Sequence, residues 1–202
     1  MKKRKVIQIA SSVLFIIFIA LGKVQLWMAI FGIGLLLSTY FGRFYCGYIC
    51  PINTGMELID DSANKNKRKR KSVPEAFKKP IIRYGILVLF LGTMIMVFNT
   101  GKKLPVLPVL FGLGIIITIF YKPEFWHRYL CPYGTLLSIF SKFNKRSYVV
   151  VNEDCIKCGK CVRACPSNAI LWEDKKEYPI IIKNECLLCG KCKEVCPSDA
   201  IN

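Results

Sequence analysis

The sequence predicts an α-helical integral membrane domain, four transmembrane helices in two hairpins, joined to a small α+β domain rich in cysteine. Three observations predict it. The 202-residue chain is 53% hydrophobic yet carries a formal net charge of +17, which excludes disorder, collagen and an ordinary cytosolic enzyme. Basic residues are unevenly spread: residues 1–121 hold 17 basic and 4 acidic side chains, and residues 122–202 hold 13 and 9. Eight of the 11 cysteines fall in two closely similar runs near the end of the chain.

Four apolar runs come first. Residues 6–21 and 24–41 are parted by Gly22-Lys23, and residues 81–98 and 104–121 by a turn that contains Lys102 and Lys103. As helices they measure about 24–27 Å, close to the ~30 Å hydrocarbon core. One helix over residues 6–41 would be about 54 Å long, too long to cross once, so a hairpin is expected at Gly22-Lys23. Arg83, one turn into the third run, is expected to snorkel to the interface.

The basic residues set the orientation. Lys2, Lys3, Arg4 and Lys5 precede the first run, and Lys65, Lys67, Arg68, Lys69, Arg70 and Lys71 follow the second in what reads as a solvated loop. The other side has Lys23, Lys102 and Lys103. Both chain ends, and with them the cysteine-rich tail, are therefore expected on the cytoplasmic side of a cell membrane. The start also resembles a signal peptide, but the apolar run resumes after Lys23, which favours a retained helix.

Tyr40, Phe41, Phe44, Tyr45 and Tyr48, then Phe120, Tyr121, Phe125, Trp126 and Tyr129, read as an interfacial belt. Gly32-x-Gly34 and Gly112-x-Gly114 read as close helix contacts. No nucleic-acid recognition module accompanies the charge, so the bilayer is the expected partner.

The tail repeats itself. Residues 154–170 match residues 185–201, 31 positions on, and each copy follows a β-branched stretch, at 149–151 and 180–182, that reads as a short strand. Each Cys-Pro is expected to open a short helix. A fainter repeat, 81 positions apart, sets Cys46-Gly-Tyr-Ile-Cys50-Pro51 against His127-Arg-Tyr-Leu-Cys131-Pro132. Two hairpins ending alike suggest a pseudo-twofold membrane domain.

Cys155-x2-Cys158-x2-Cys161-x3-Cys165-Pro166 and Cys186-x2-Cys189-x2-Cys192-x3-Cys196-Pro197 have the spacing of a bacterial two-[4Fe–4S] ferredoxin. Three close thiolates wrap three corners of a cube and the fourth serves the other cube. One cluster should use Cys155, Cys158, Cys161 and Cys196; the other Cys186, Cys189, Cys192 and Cys165. Zinc ribbons favour two separated pairs, and a disulfide framework needs no such repeat. Gly159 and Gly190 are expected to let the backbone curl around sulfur. Lys157, Lys160, Arg163 and Lys191 nearby either favour the reduced state or are simply solvated.

Cys46, Cys50, Cys131 and His127 are a second candidate group. Cys46 with Cys50, and His127 with Cys131, share a helix face at i, i+4. Two readings stay open: a third metal or cluster site, or small buried thiols beside an interfacial histidine. Other chemistry is missing. There is no haem-attachment motif, no Walker loop, no dinucleotide fingerprint and only one histidine. The expected activity is electron transfer.

Together these features resemble the membrane polyferredoxins of the NapH/MauN type, a family of 4Fe–4S binding membrane proteins that accompany periplasmic nitrate reductase and methylamine dehydrogenase. The architecture recurs in the membrane parts of the nitrous-oxide-reduction regulator and the cytochrome oxidase assembly ferredoxin. Cys46-x3-Cys50-Pro51 at a helix end is the discriminating mark; His127 stands where the pattern has Cys. The resemblance implies a subunit of a redox complex that passes electrons between quinol or a cytoplasmic donor and a partner reductase. An assembly factor that reduces a metal or disulfide, and a redox-sensing regulator, are the rival readings.

Overall fold

Long apolar stretches with no proline past the first turn become helices. In the computed structural model, which describes residues 2–100, 106–174 and 177–202, these are α1 (Lys2–Ala20), α2 (Gln25–Phe41), α5 (Pro80–Thr100) and α6 (Val106–Phe120). Each matches an expected run. Gly22 takes the left-handed turn between α1 and α2 with φ 66°, and the Lys23 amide donates to the Phe18 carbonyl at 2.9 Å. Lys102, Lys103 and the start of the fourth run lie outside the described residues.

Among the described residues one helix is long and apolar enough to cross a membrane by itself: Pro80–Val97, with mean hydropathy 2.0 and 11% of its residues buried. Gln25–Phe41 and Val106–Phe120 are apolar but shorter, about 26 and 23 Å. The first turns of α1 hold Lys2, Lys3, Arg4 and Lys5.

Between the long helices the chain builds two short, matched units. The first is α3 (Phe44–Tyr48) followed by α4 (Pro51–Lys65). The second is a π-helical turn (Phe125–Leu130) followed by α7 (Pro132–Phe140). Cys50 and Cys131 are the extended residues before α4 and α7, with ψ 116° and 110°, and Pro51 and Pro132 open those helices, where a missing N–H costs nothing. The Cys50 amide donates to Tyr45 and the Cys131 amide to Trp126, both at 2.9 Å and both five residues back. α4 packs along α6, and α7 along α5.

Only one glycine of each expected pair makes a close contact. A Cβ on Gly34 would stand 2.8 Å from the Tyr45 ring, and one on Gly114 would stand 2.8 Å from Ile52, whereas Gly32 and Gly112 have nothing within 4 Å. Gly114→Ala therefore lowers stability by about 1–3 kcal/mol through overpacking. Gly112→Ala is neutral or stabilising by up to about 1 kcal/mol, from helix propensity. Thermal unfolding of the two variants in the same detergent checks the difference.

Several expectations about polar and aromatic residues are corrected. Arg83 does not snorkel: it turns to Glu185, at 2.5 Å, and donates to Thr135 at 3.2 Å. Arg70 leaves the solvated loop to pair with Asp60 at 2.5 Å, while Lys65, Lys67, Arg68 and Lys69 stay exposed. Tyr45, Phe125 and Trp126 are core residues rather than a belt, and only Tyr40 and Phe120 of that set are exposed.

In the tail the short helices α8 (Lys160–Ala164) and α9 (Lys191–Glu194) precede each Cys-Pro instead of following it. Proline is poorly tolerated inside a helix, so Pro166 and Pro197 stand beyond the ends of α8 and α9 rather than at new starts. β1 (Ile170–Leu171) and β2 (Ile180–Ile181) pair antiparallel, with Ile170 opposite Ile181. Val150 makes a single antiparallel bridge to Ile201 instead of a full strand. The two pairings are related by the 31-residue repeat. The stretch before each copy pairs with the residues that end the other copy, and this interlocks the two.

Candidate functional site

The interlock sorts the eight tail cysteines. Cys155, Cys158, Cys161 and Cys196 line one small cavity, and Cys186, Cys189, Cys192 and Cys165 line another. Each set mixes three residues of one run with the fourth of the other. Left-handed residues recur at equivalent positions: Lys157 and Leu188, Gly159 and Gly190, Asn168 and Asp199. Such residues turn successive amides inward, a backbone arrangement that suits anions. The Leu188 amide donates to Cys186 Sγ at 3.4 Å, and the Ala169 amide to Cys165 Sγ at 3.2 Å. The space at Gly159 is taken by the Trp172 ring, and that at Gly190 by the Tyr148 hydroxyl, so aromatic contact and positive φ explain these glycines.

Cys46, Cys50, Cys131 and His127 line a third small cavity. They do not share one continuous helix face, because α3 ends before Cys50 and the π-turn ends before Cys131. The chain bends at both cysteines, and the matched bends point the two pairs at one space. Aromatic side chains wall it: Trp27 donates to the Tyr45 hydroxyl at 2.9 Å, and Phe31 packs edge-on against Tyr133 at 4.6 Å. His127 is buried, not interfacial. Burial, with Arg43 and Lys191 nearby, pushes its pKa down to about 3, so the imidazole is neutral and free to ligate. Burial pushes the Cys131 thiol up to about 12 and Cys189 up to about 11.

Buried thiols of this kind stay protonated until a cation replaces the proton. All 11 cysteines are free. Among the described residues no three His, Cys, Asp or Glu side chains stand close enough to hold one metal ion. A cluster makes no such demand, because each ligand takes its own iron. The donor sets and inward amides thus fit iron–sulfur groups.

The sequence did not disclose how the tail is tied to the helices. Arg43, fully buried, donates to Glu185 at 2.8 Å and to the His127 carbonyl at 3.1 Å. Glu185 also accepts from Arg83 and, at 3.0 Å, from Ser138. Burial alone would raise the Glu185 pKa, but Arg43 and Arg83 hold the carboxyl below the usual carboxylate range. Lys191 lies 3.4–3.5 Å from Glu57, Asp60 and Asp61 of α4, and Glu57 meets Arg4 of α1 at 2.5 Å. Lys191 is therefore not simply solvated. Lys160 is exposed, and Lys157 sits over the Tyr178 ring at 4.1 Å.

A chain of this build, helices joined to a twofold cysteine repeat, defines an iron–sulfur electron-transfer protein of ferredoxin type. Comparison with known proteins agrees. A 4Fe–4S dicluster domain model matches residues 154–200, and a 4Fe–4S binding domain model matches twice, at 24–71 and 104–149. The second match falls on both halves of the fainter repeat. An uncharacterized protein of Methanocaldococcus jannaschii is 31% identical over 79% of this chain and 74% of its own length. The putative electron transport protein YccM of Escherichia coli is 28% identical over 66% of this chain and 44% of its own. The methylamine utilization ferredoxin-type protein MauN of Paracoccus denitrificans is 26% identical over 69% and 53%. The chain belongs to the MauN/NapH-type family of 4Fe–4S ferredoxin-like proteins. It spans about half the length of most of these curated relatives. No solved structure matches it.

Proposed function

We propose that the chain is a multi-pass membrane ferredoxin, a subunit that passes single electrons between quinol or a cytoplasmic donor and a partner reductase. Residues 1–145 form the membrane domain and residues 146–202 the two-cluster ferredoxin domain. Cys155, Cys158, Cys161 and Cys196 hold one [4Fe–4S] cluster; Cys186, Cys189, Cys192 and Cys165 hold the other. Cys46, Cys50, Cys131 and His127 hold a third centre, a cluster rather than a lone ion. When bound, these groups supply one-electron redox capacity.

The observation that carries the reading is the convergence of all twelve donor side chains on three voids, four to each. The protein's part is to hold the thiolates, shield them from water and place amide donors near sulfur. Exposed apolar side chains along α1, α2, α5 and α6, among them Ile16, Leu36, Val88 and Ile116, support four membrane-embedded helices. The basic start of α1 and the tail meet through Arg4, Glu57 and Lys191, which supports a shared cytoplasmic side.

Two measurements test this. Anaerobically purified protein should contain iron and sulfide for three centres, and Cys50→Ala should lose one centre and keep the two ferredoxin signals in low-temperature EPR. Unchanged iron and spectra in Cys50→Ala remove the third centre from the proposal. In vesicles, a quinol analogue should reduce the clusters; if dithionite reduces them and quinol does not, a cytoplasmic donor takes its place.

A further inference from the structure

We propose that Gly47 is a positioning residue that seats the second cysteine run, and not the first, against the helix-end cavity. The inference rests on the three-centre reading above and adds an order to it. Gly47 stands between Cys46 and Cys50. A Cβ there would run into the carbonyl oxygen of Leu187, with the Leu187 carbonyl carbon 3.3 Å away and the Cys189 amide 3.6 Å away. The backbone that carries Cys46 and Cys50 therefore touches the backbone that carries Cys186 and Cys189, with no side chain between. Gln8 pins this turn by donating to the Gly47 carbonyl at 3.0 Å.

The internal repeats supply two controls. In the second run Glu185, Leu187 and Lys191 all face the helices: Glu185 and Leu187 are buried, and Lys191 is paired to α4. Their counterparts 31 residues earlier, Asp154, Ile156 and Lys160, are all exposed, Ile156 by 64%. The same sequence pattern thus docks in one copy and faces water in the other. In the membrane repeat the counterpart of Gly47 is Arg128, whose long side chain reaches the Asn168 carbonyl. The motif itself accommodates a large side chain, so the missing one at 47 is a local requirement of contact with the second run.

Packing places the sets in series. Cys189 and Leu187 share a core with Cys46, Cys50 and Cys131, whereas Cys192 and Cys165 pack with Cys161 and Cys196. The second set lies between the helix-end group and the first set.

The test compares Gly47→Ala with Gly85→Ala, a helix glycine with nothing within 4 Å, in holo-protein. Amide exchange at 186–190 should rise about tenfold or more in Gly47→Ala, with 155–159 unchanged, and the midpoint potential of one ferredoxin cube should move while the other stays. Gly85→Ala should alter neither. If Gly47→Ala does not assemble, Leu187→Ala against Ile156→Ala serves instead, with the same selective rise expected only in the first. Equal loosening of both runs, or of neither, overturns the proposal. Iron for only two cubes in the unaltered protein removes the third-centre reading, and the exchange comparison then still decides the seating.

Discussion

On the proposed ligand sets, replacing Cys165 with serine should abolish the cluster of the second run and spare that of the first, although Cys165 belongs to the first run in sequence. The reason is the interlock. Cys165 faces Cys186, Cys189 and Cys192 across one void, and Cys196 faces Cys155, Cys158 and Cys161 across the other. Ile170–Ile181 and Val150–Ile201 are the backbone pairings that hold the exchange in place. Cys165→Ser should therefore share its lost EPR signal with Cys186→Ser, and Cys196→Ser with Cys155→Ser, each variant losing half of the ferredoxin iron. Because ligand binding and folding are linked, each should also unfold at a lower temperature than the unaltered protein. Pairing of Cys165→Ser with Cys155→Ser in the spectra would mean that each run fills its own cube, and the crossed assignment would fall.

What the sequence makes legible follows the range over which the physics acts. Cysteine spacing is local and chemically constrained, so the 4Fe–4S dicluster character of the tail is legible in the sequence. The same holds for the long helices, whose apolar runs end within a few residues of their observed bounds, and for the hairpin at Gly22-Lys23. α4 and α7 are not legible from apolar runs, because α4 is amphipathic and α7 has only nine residues. Pro51 and Pro132 at their first positions, with Ile52, Met56 and Ala63 at helical spacing, were the available signal. The convergence of Cys46, Cys50, Cys131 and His127 was anticipated through a shared helix face, but it arises from two chain bends. The ties from Arg43 and Arg83 to Glu185 join residues 142 and 102 positions apart, and no periodic pattern encodes such a pair. Arg83 shows the consequence: read alone it is a charge near a membrane surface, and only its partner reveals a clamp.

That clamp carries the second large effect. Arg43→Met should destabilise the holo-protein by about 2–3 kcal/mol, the loss of charge-assisted hydrogen bonds from a fully buried guanidinium to a carboxylate that keeps a second cation. Arg43 is fully buried, and a Cβ on Gly134 would stand 2.6 Å from its guanidinium, so the helices leave it room and little solvent. Without it Glu185 keeps Arg83 and Ser138 but loses its most buried partner. Arg43→Lys should recover part of the loss, since one ammonium cannot serve both the Glu185 carboxylate and the His127 carbonyl in the fork geometry of a guanidinium. The double variant Arg43→Met with Glu185→Leu should lie closer to the unaltered protein than Arg43→Met does, because the Glu185 carboxylate no longer lacks its buried partner, although Arg83 then keeps only Thr135. Thermal unfolding of the four proteins at one salt concentration decides. A loss below about 1 kcal/mol for Arg43→Met, the range of exposed pairs, would mean that water reaches Glu185 and that the tail is held to the helices by Leu187 and the Gly47 contact instead.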